Sequence, residues 1–254
     1  MQTAITREVS PGIVNCELTH LARTPIDVER ARRQHRQYEE LLVELGCRLV
    51  RLPAEPELPD SVFVEDAAIV LDELAVITRP GAASRRAETG SIADALKPYR
   101  TLAHIEPPGT LDGGDVLQVG KTLYVGSSSR SDSRAVEQLR RIVAAFGYAV
   151  IAVPLHDCLH LKTAVTQVAD RTLLINRNWV NTDAFGSMHM IDVAPSEPFG
   201  ANAVRIGSAL VYPAAFPKTR ERLVAHGIHV RTVDASELAK AEGGVTCCSL
   251  IFST

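Results

Sequence analysis

The feature that most restricts what this chain can fold into is a recurring pair of short apolar runs separated by two turn-forming residues. Residues 63–79 (FVEDAAIVLDELAVITR) place such runs on either side of Asp72-Glu73. Residues 112–126 repeat the pattern around Gly120-Lys121, 160–176 around Asp170-Arg171, and 202–213 around Gly207-Ser208. β-Forming runs on either side of two turn-prone residues read as β-hairpins. A repeat at near-constant spacing governs the whole architecture, so it takes precedence over local readings.

Each of the first two hairpins leads into a helical stretch. Residues 84–99 carry Ile92, Ala95, Leu96 and Tyr99 at helical spacing. Residues 132–147 put Val136, Leu139, Ile142, Val143 and Phe146 on one face and stop at Gly147. Lys218–His226, stopped by Gly227, follows the fourth hairpin; in the third unit, Trp179–Met188 is assigned the helix despite little periodicity. Extended segments come next, at Thr101–Ile105, Tyr148–Pro154, His189–Val193 and Ile228–Val233. The unit is hairpin, helix, strand, and it recurs every 42 to 48 residues.

A fifth hairpin begins at Val245–Phe252 and needs a partner, for which Met1–Val9 is the candidate. Its helix is Asp27–Leu45, opened by Asp27 as N-cap and closed by Gly46. Five ββαβ units about an axis predict a closed, five-bladed α/β propeller with pseudo-five-fold symmetry, which leaves only short, protected sheet edges. Pro53–Asp60 holds three prolines and reads as a rigid loop, not a boundary. The expectation is therefore one domain, 1–254, with its active site on the central axis.

Composition removes several function classes. With 46 % hydrophobic and 22 % charged residues, the chain can bury a core and is not disordered. Lys and Arg number 27 against 30 Asp and Glu, a net charge of −3, without the basic excess of a nucleic-acid binder. No N-terminal apolar stretch resembles a signal peptide, and no run approaches the roughly 18 apolar residues of a membrane span. A cytoplasmic protein with a small-molecule partner is expected, and self-association as a homodimer is left open. The five cysteines include no CxxC pair, and the eight histidines form no HExxH, so neither a disulfide scaffold nor a structural zinc site is expected. No cofactor is implied.

Position in the repeat marks the candidate chemistry. Glu65-Asp66, Asp112, His160, Asn202 and Cys247 begin the first strand of successive hairpins and should converge on the axis. A thiol, an imidazole and carboxylates at one locus supply a nucleophile, an acid/base and a cation site. Each residue alone has an ordinary explanation. Cysteines are commonly buried as small hydrophobes, as expected for Cys16, Cys47 and Cys158, and Cys248 could stand in for Cys247. Asp112-Gly-Gly-Asp115 could be a plain turn, and Arg85-Arg86 a solvated pair. Joint placement carries the case.

These residues also carry a resemblance. The stretches LPDSVFVEDAAIV (58–70), ITRPGAASRRAET (77–89), GTLDGGDVLQVG (109–120), LHLKT (159–163) and GGVTCCSLIF (243–252) resemble the dimethylarginine dimethylaminohydrolase family, within the guanidine-modifying superfamily. DVERARRQH (27–35) extends the likeness nearly to the N-terminus. The resemblance implies the five-unit α/β propeller and the hydrolysis of Nω-methylated arginines to citrulline and an alkylamine. It implies Cys247 as nucleophile, His160 as general acid/base and Asp112 as the carboxylate orienting that histidine. Glu65 and Asp66 would bind the guanidinium, with Asp60 and Phe63 in the binding set. Arg85 and Arg130 would hold the α-carboxylate, the Ala241 carbonyl would accept from the α-amino group, and Leu18 would lie in a lid loop.

Elementary chemistry is consistent with those roles. A guanidinium carbon is a poor electrophile, so the cation must be fixed by carboxylates and attacked by a thiolate. The departing nitrogen must be protonated, which asks for an imidazole. Cys247 and His160 together could also capture Zn²⁺ as an inhibitor. Lys162 stands two residues after His160, where deiminases of the superfamily usually carry a further Asp; a carboxylate fewer suits a guanidinium that has lost N–H donors to methyl groups. The length also lacks room for the additional helical domain of arginine deiminases. Glu242 precedes GGVTC where the family often has Asp. Two alternatives stand beside the main reading: a deiminase for an unmethylated guanidino compound, and a non-catalytic binding module on the same fold.

Overall fold

Alternating β-formers need partners, and in the computed structural model, which describes residues 1–254, they find them in five three-stranded sheets. The first element is β1 (Gln2–Arg7), followed by α1 (Val28–Glu44) and β2 (Cys47–Leu52), which runs parallel to β1. The second unit holds β3 (Ala68–Val70), β4 (Leu74–Ile77), α2 (Glu88–Leu96) and β5 (Thr101–His104). The third holds β6 (Val116–Val119), β7 (Thr122–Ser127), α3 (Ser133–Ala144) and β8 (Ala149–Pro154). A single helical turn, α4 (Leu161–Ala164), opens the fourth, with β9 (Val165–Ala169), β10 (Thr172–Ile175) and β11 (His189–Asp192). The fifth has β12 (Val204–Ile206), β13 (Ala209–Pro213), α5 (Pro217–Ala225) and β14 (His229–Val233). After the short α6 (Ser236–Ala239), β15 (Leu250–Ser253) pairs antiparallel with β1, Thr3 opposite Phe252.

Every sheet thus has the same order: a middle strand with one antiparallel and one parallel neighbour. The hairpin turns fall at the expected dipeptides, with Gly120 and Gly207 at φ +58° and +57°. Asp27 caps α1 by accepting from the Arg30 N–H at 3.0 Å, and Asp132 caps α3 through the Ala135 N–H at 2.9 Å. α3 buries Ala135, Val136, Leu139 and Val143 against Leu123, Val125 and Val150.

Three expectations are corrected. Trp179–Met188 forms no α-helix: Asn181 caps a 3₁₀ turn at Thr182–Phe185, and Gly186 at φ +56° ends it after one turn. The helix expected over 84–99 is shorter, a 3₁₀ turn at Ala83–Arg85 followed by α2. The candidate site residues do not begin strands but sit on the turns before them. Glu65 and Asp66 lie in the 3₁₀ turn Val64–Ala67, Asp112 immediately before the turn Gly113–Asp115, and His160 immediately before α4. Strand β2, for its part, follows the first helix with no expectation having been made for it.

A cavity of about 260 Å³ is lined by Ile69, Leu117, Thr166, Val204 and Ile251, one residue from each sheet's outer antiparallel strand. Those five strands therefore face one another. Leu139 is fully buried in the α3 interface, so Leu139→Ala should lower unfolding free energy by roughly 2–5 kcal/mol in urea melts, with the m-value unchanged.

Candidate active site

The turns that precede β3, β6, β9 and β15 put their side chains at one place. The narrow cavity there, of about 20 Å³, is lined by Cys247, His160, Asp66, Asp60, Arg85 and Arg130, with Phe63, Ala241 and Gly243 completing the apolar and backbone wall. That is room for about one water. Of the two vicinal thiols, Cys247 lines this cavity, whereas Cys248 is buried in the cluster formed by Tyr38, Phe63 and Val245. The structure thereby separates the two cysteines that the sequence left as alternatives.

His160 is buried between carboxylates. Its Nε2 lies 3.0 Å from Asp112 Oδ2, and its Nδ1 lies 3.9 Å from Asp66 Oδ1. Burial disfavours charge on the ring, but Asp66, the Asp112 hydrogen bond and Asp115 outweigh it and raise the pKa to about 9. The ring is an imidazolium at neutral pH. Asp112 is fully buried behind it, accepts from the Gly81 N–H at 2.8 Å, and does not line the cavity. Its action passes through His160. Asp115, the last residue of the DGGD stretch, accepts from the Leu161 N–H at 2.9 Å and from Ser128 and Ser131, and so anchors the turn that presents His160. The two intervening glycines allow close approach: a Cβ on Gly114 would stand 2.6 Å from His160 Nδ1, and one on Gly113 would collide with the Glu65 carbonyl.

Asp66 is ionised. Burial opposes this, yet His160, Arg85 and the Gly114 N–H hold its carboxyl down to about 2. Arg85 donates to Asp66 Oδ2 at 2.5 Å and to Glu88 at 2.8 Å, and also to the Asp60 and Phe63 carbonyls. Cys247 behaves oppositely. Burial, together with the Glu65 and Asp66 carboxylates, pushes its thiol up to about 12, despite the Gly244 N–H pointing at Sγ from 3.3 Å. The site therefore holds a neutral thiol beside an imidazolium. Asp66, Asp112 and His160 also present donor atoms within 4.8 Å of one another, the group from which a cation could draw ligands; Arg85 already occupies one Asp66 oxygen.

Two expected residues stand elsewhere. Glu65 does not line the cavity. Lys162 Nζ holds its Oε1 at 2.6 Å and the Thr246 hydroxyl holds Oε2 at 2.7 Å, so both carboxylate oxygens already have partners outside the cavity, one of them an ammonium the sequence could not pair with it. Its backbone N–H donates to the Cys247 carbonyl at 3.1 Å, which makes Glu65 a support for the nucleophile's loop. Asn202 completes that support through its bonds with Thr246. Leu18 is half-buried and packs on the cluster containing Phe63 and Ala241 without lining the cavity.

Its loop does cover the site. Arg130 donates to Thr19 Oγ1 at 2.9 Å, and the Glu17 N–H donates to Asp60 Oδ2 at 3.0 Å. The Glu242 carboxylate accepts from the N–H groups of Thr19, His20 and Leu21 at 3.0, 2.6 and 2.6 Å. Glu242 does this from φ +58°, a conformation costing a non-glycine residue about 1 kcal/mol or more. Glu17 and Glu242 both line the cavity, and sequence reasoning had assigned neither a role. Only the departure at Glu242 signalled it.

A half-buried thiol, an imidazolium and an ionised carboxylate, sharing one cavity with two arginines, define a cysteine-dependent site for a small cationic, amino-acid-like molecule. The comparisons agree with that class. A family model described as arginine deiminase matches residues 56–201. The chain is 39 % identical to an N(G),N(G)-dimethylarginine dimethylaminohydrolase of Streptomyces coelicolor, over 97 % of this chain and 95 % of that one. It is 35 % identical to the enzyme of that name from Pseudomonas aeruginosa, over 92 % of each. A cysteine-to-serine variant of the P. aeruginosa protein, solved in complex with citrulline, superposes with a TM-score of 0.94 at 33 % identity over 98 % of each chain. The chain belongs to the dimethylarginine dimethylaminohydrolases of the arginine deiminase family.

Glu242→Ala would remove the acceptor for three backbone N–H groups, each worth about 1 kcal/mol. The KM should rise at least about fivefold with kcat nearly unchanged, and limited proteolysis between residues 17 and 24 should accelerate.

Proposed function

We propose that this protein hydrolyses Nω,Nω-dimethyl-L-arginine and Nω-methyl-L-arginine to L-citrulline, releasing dimethylamine or methylamine. The observation that carries the reading is the cavity shared by the Cys247 thiol, the His160 imidazolium and the Asp66 carboxylate, with Arg85, Arg130 and the Ala241 backbone around it. The five units are read as blades of one closed α/β propeller, a single domain with this cavity on its axis.

Asp66 is assigned the guanidinium, through charge-assisted N–H bonds. Arg130 and the remaining N–H of Arg85 would take the α-carboxylate, the Ala241 carbonyl the α-amino group, and Asp60 and Phe63 the flank of the side chain. A guanidinium seated beside Cys247 offsets the carboxylates that keep the thiol neutral, so substrate itself promotes loss of the thiol proton to water. The thiolate adds to Cζ, giving a neutral tetrahedral adduct. His160 passes its proton to the substituted nitrogen, the Cζ–N bond breaks, and the amine departs from an S-alkylthiouronium cation. The now neutral His160 takes a proton from a water that adds to Cζ. Collapse of this second adduct breaks the C–S bond, its hydroxyl proton passes through water to the departing sulfur, and citrulline is left beside the restored thiol. None of these steps calls on a metal or an organic cofactor.

The bond between Lys162 and Glu65 favours alkylated over plain arginine. With Glu65 withdrawn, Asp66 is the carboxylate adjoining His160, and a guanidinium short of N–H donors needs no second one. No helix is long and apolar enough to cross a membrane; a cytoplasmic location remains part of the proposal.

Cys247→Ser should abolish citrulline formation from both methylated substrates. In the wild type, amine release should fall as pH rises through about 9, where His160 loses the proton it must donate. Asp112→Asn removes one of the groups that raise that pKa, so the fall should move to lower pH. A stopped pH–rate series with amine detection checks both, and faster turnover of plain arginine would favour the deiminase reading.

A further inference from the structure

Cys247 lies at the junction of two cavities of opposite character. The narrow, charged one has been described. The second, of about 300 Å³, has largely apolar walls that include Leu21, Leu159, Phe199, Phe216 and Val245. Cys247, Leu159, Glu242 and Gly243 line both, while Asp66, Arg85 and Arg130 line only the first. A wide apolar space therefore adjoins the sulfur on the side that carries none of the groups assigned to the amino-acid end.

Hydrogen bonding decides which part of a substrate faces that space. Asp66 holds guanidinium nitrogens only through N–H donors, and a substituted nitrogen has fewer or none. Such a nitrogen turns away from Asp66 while Cζ stays on Cys247, and the remaining wall is the apolar cavity. Leu159 adjoins His160 in the chain, so the proton donor for the leaving nitrogen stands at the same junction. Methyl groups do not require this volume. An apolar cavity of about 150 Å³ already holds benzene.

We infer that the second cavity is a subsite for an apolar substituent on the leaving nitrogen, and that the substrates extend to Nω-aralkyl arginines such as Nω-benzyl-L-arginine. The inference rests on the proposed hydrolase reading. The bonds are the same: Cζ–N breaks, His160 protonates the departing nitrogen, water supplies the citrulline oxygen, and benzylamine leaves. The substituent adds contact area in the cavity, which offsets its bulk.

The test compares kcat/KM for Nω-methyl- and Nω-benzyl-L-arginine in the wild type and in Ala215→Trp. Ala215 is an exposed loop residue on the cavity wall, remote from the proposed machinery. Benzyl turnover within about tenfold of methyl, cut at least about tenfold by Ala215→Trp with methyl turnover retained, is the expected result. Ala239→Trp, on α6, fills the same space from another wall and repeats the test if the first variant folds poorly. Methyl turnover without benzyl turnover, or equal effects of the Trp variants on both substrates, overturns the subsite. Absence of citrulline from both substrates overturns the hydrolase reading instead. Calorimetry on Cys247→Ser then judges the cavity separately: benzyl should bind about tenfold tighter than methyl and lose that advantage with Ala215→Trp, whereas equal binding refutes the subsite.

Discussion

The structure depends on how it neutralises charge in its interior. Asp66, Asp112, Asp115, Arg85, Glu88 and His160 are all buried, and a lone charge there would cost several kcal/mol. Each is answered by another: Arg85 by Asp66 and Glu88, His160 by Asp66 and Asp112, Asp115 by two hydroxyls and a backbone N–H. Asp66 serves both Arg85 and His160, so one carboxylate ties the arginine and the imidazole together. A network this closely satisfied is also rigid, as proton transfer over fixed distances requires.

Into this set the guanidinium enters as a missing member. Cys247 is uncharged because burial, with the Glu65 and Asp66 carboxylates nearby, disfavours a thiolate. On the proposed reading, a substrate cation would complete the balance and in doing so prepare the nucleophile. Activation would then be restricted to molecules that bring a positive charge, and the neutral thiol would be spared the oxidation and alkylation to which a free thiolate is prone. The Lys162–Glu65 pair belongs to the same logic: it satisfies a second carboxylate outside the cavity, while Asp66 is the cavity-lining carboxylate paired with His160.

Much of this was legible in the sequence because its signals are local. The dipeptides Asp72-Glu73, Gly120-Lys121 and Gly207-Ser208 mark hairpins whatever else the chain does, and the cap Asp27 marks a helix within three residues. The convergence of Asp112, His160 and Cys247 followed from their equivalent places in the repeat. What escaped depended on partners distant in sequence. Glu65 reads as a ligand for substrate until Lys162, 97 residues away, is seen to hold it. Glu242 shows its role only through the backbone of Thr19, His20 and Leu21, more than 220 residues off. The helix expected at Trp179–Met188 failed for a local reason of another kind: Gly186 ends the turn that Asn181 starts, before a helix can form.

Strand β1 carries a consequence of its own. It lies between β15 and β2, joining segments some 250 residues apart, and Cys247 sits three residues before β15. Contacts of such separation are slow to form, since a long loop must close before they repay its entropy. The nucleophile's surroundings and this strand pairing are therefore one cooperative unit. Recovery of enzymatic activity after denaturation becomes a clock for the slowest, most non-local part of folding, while recovery of helical signal reports only the faster, local parts.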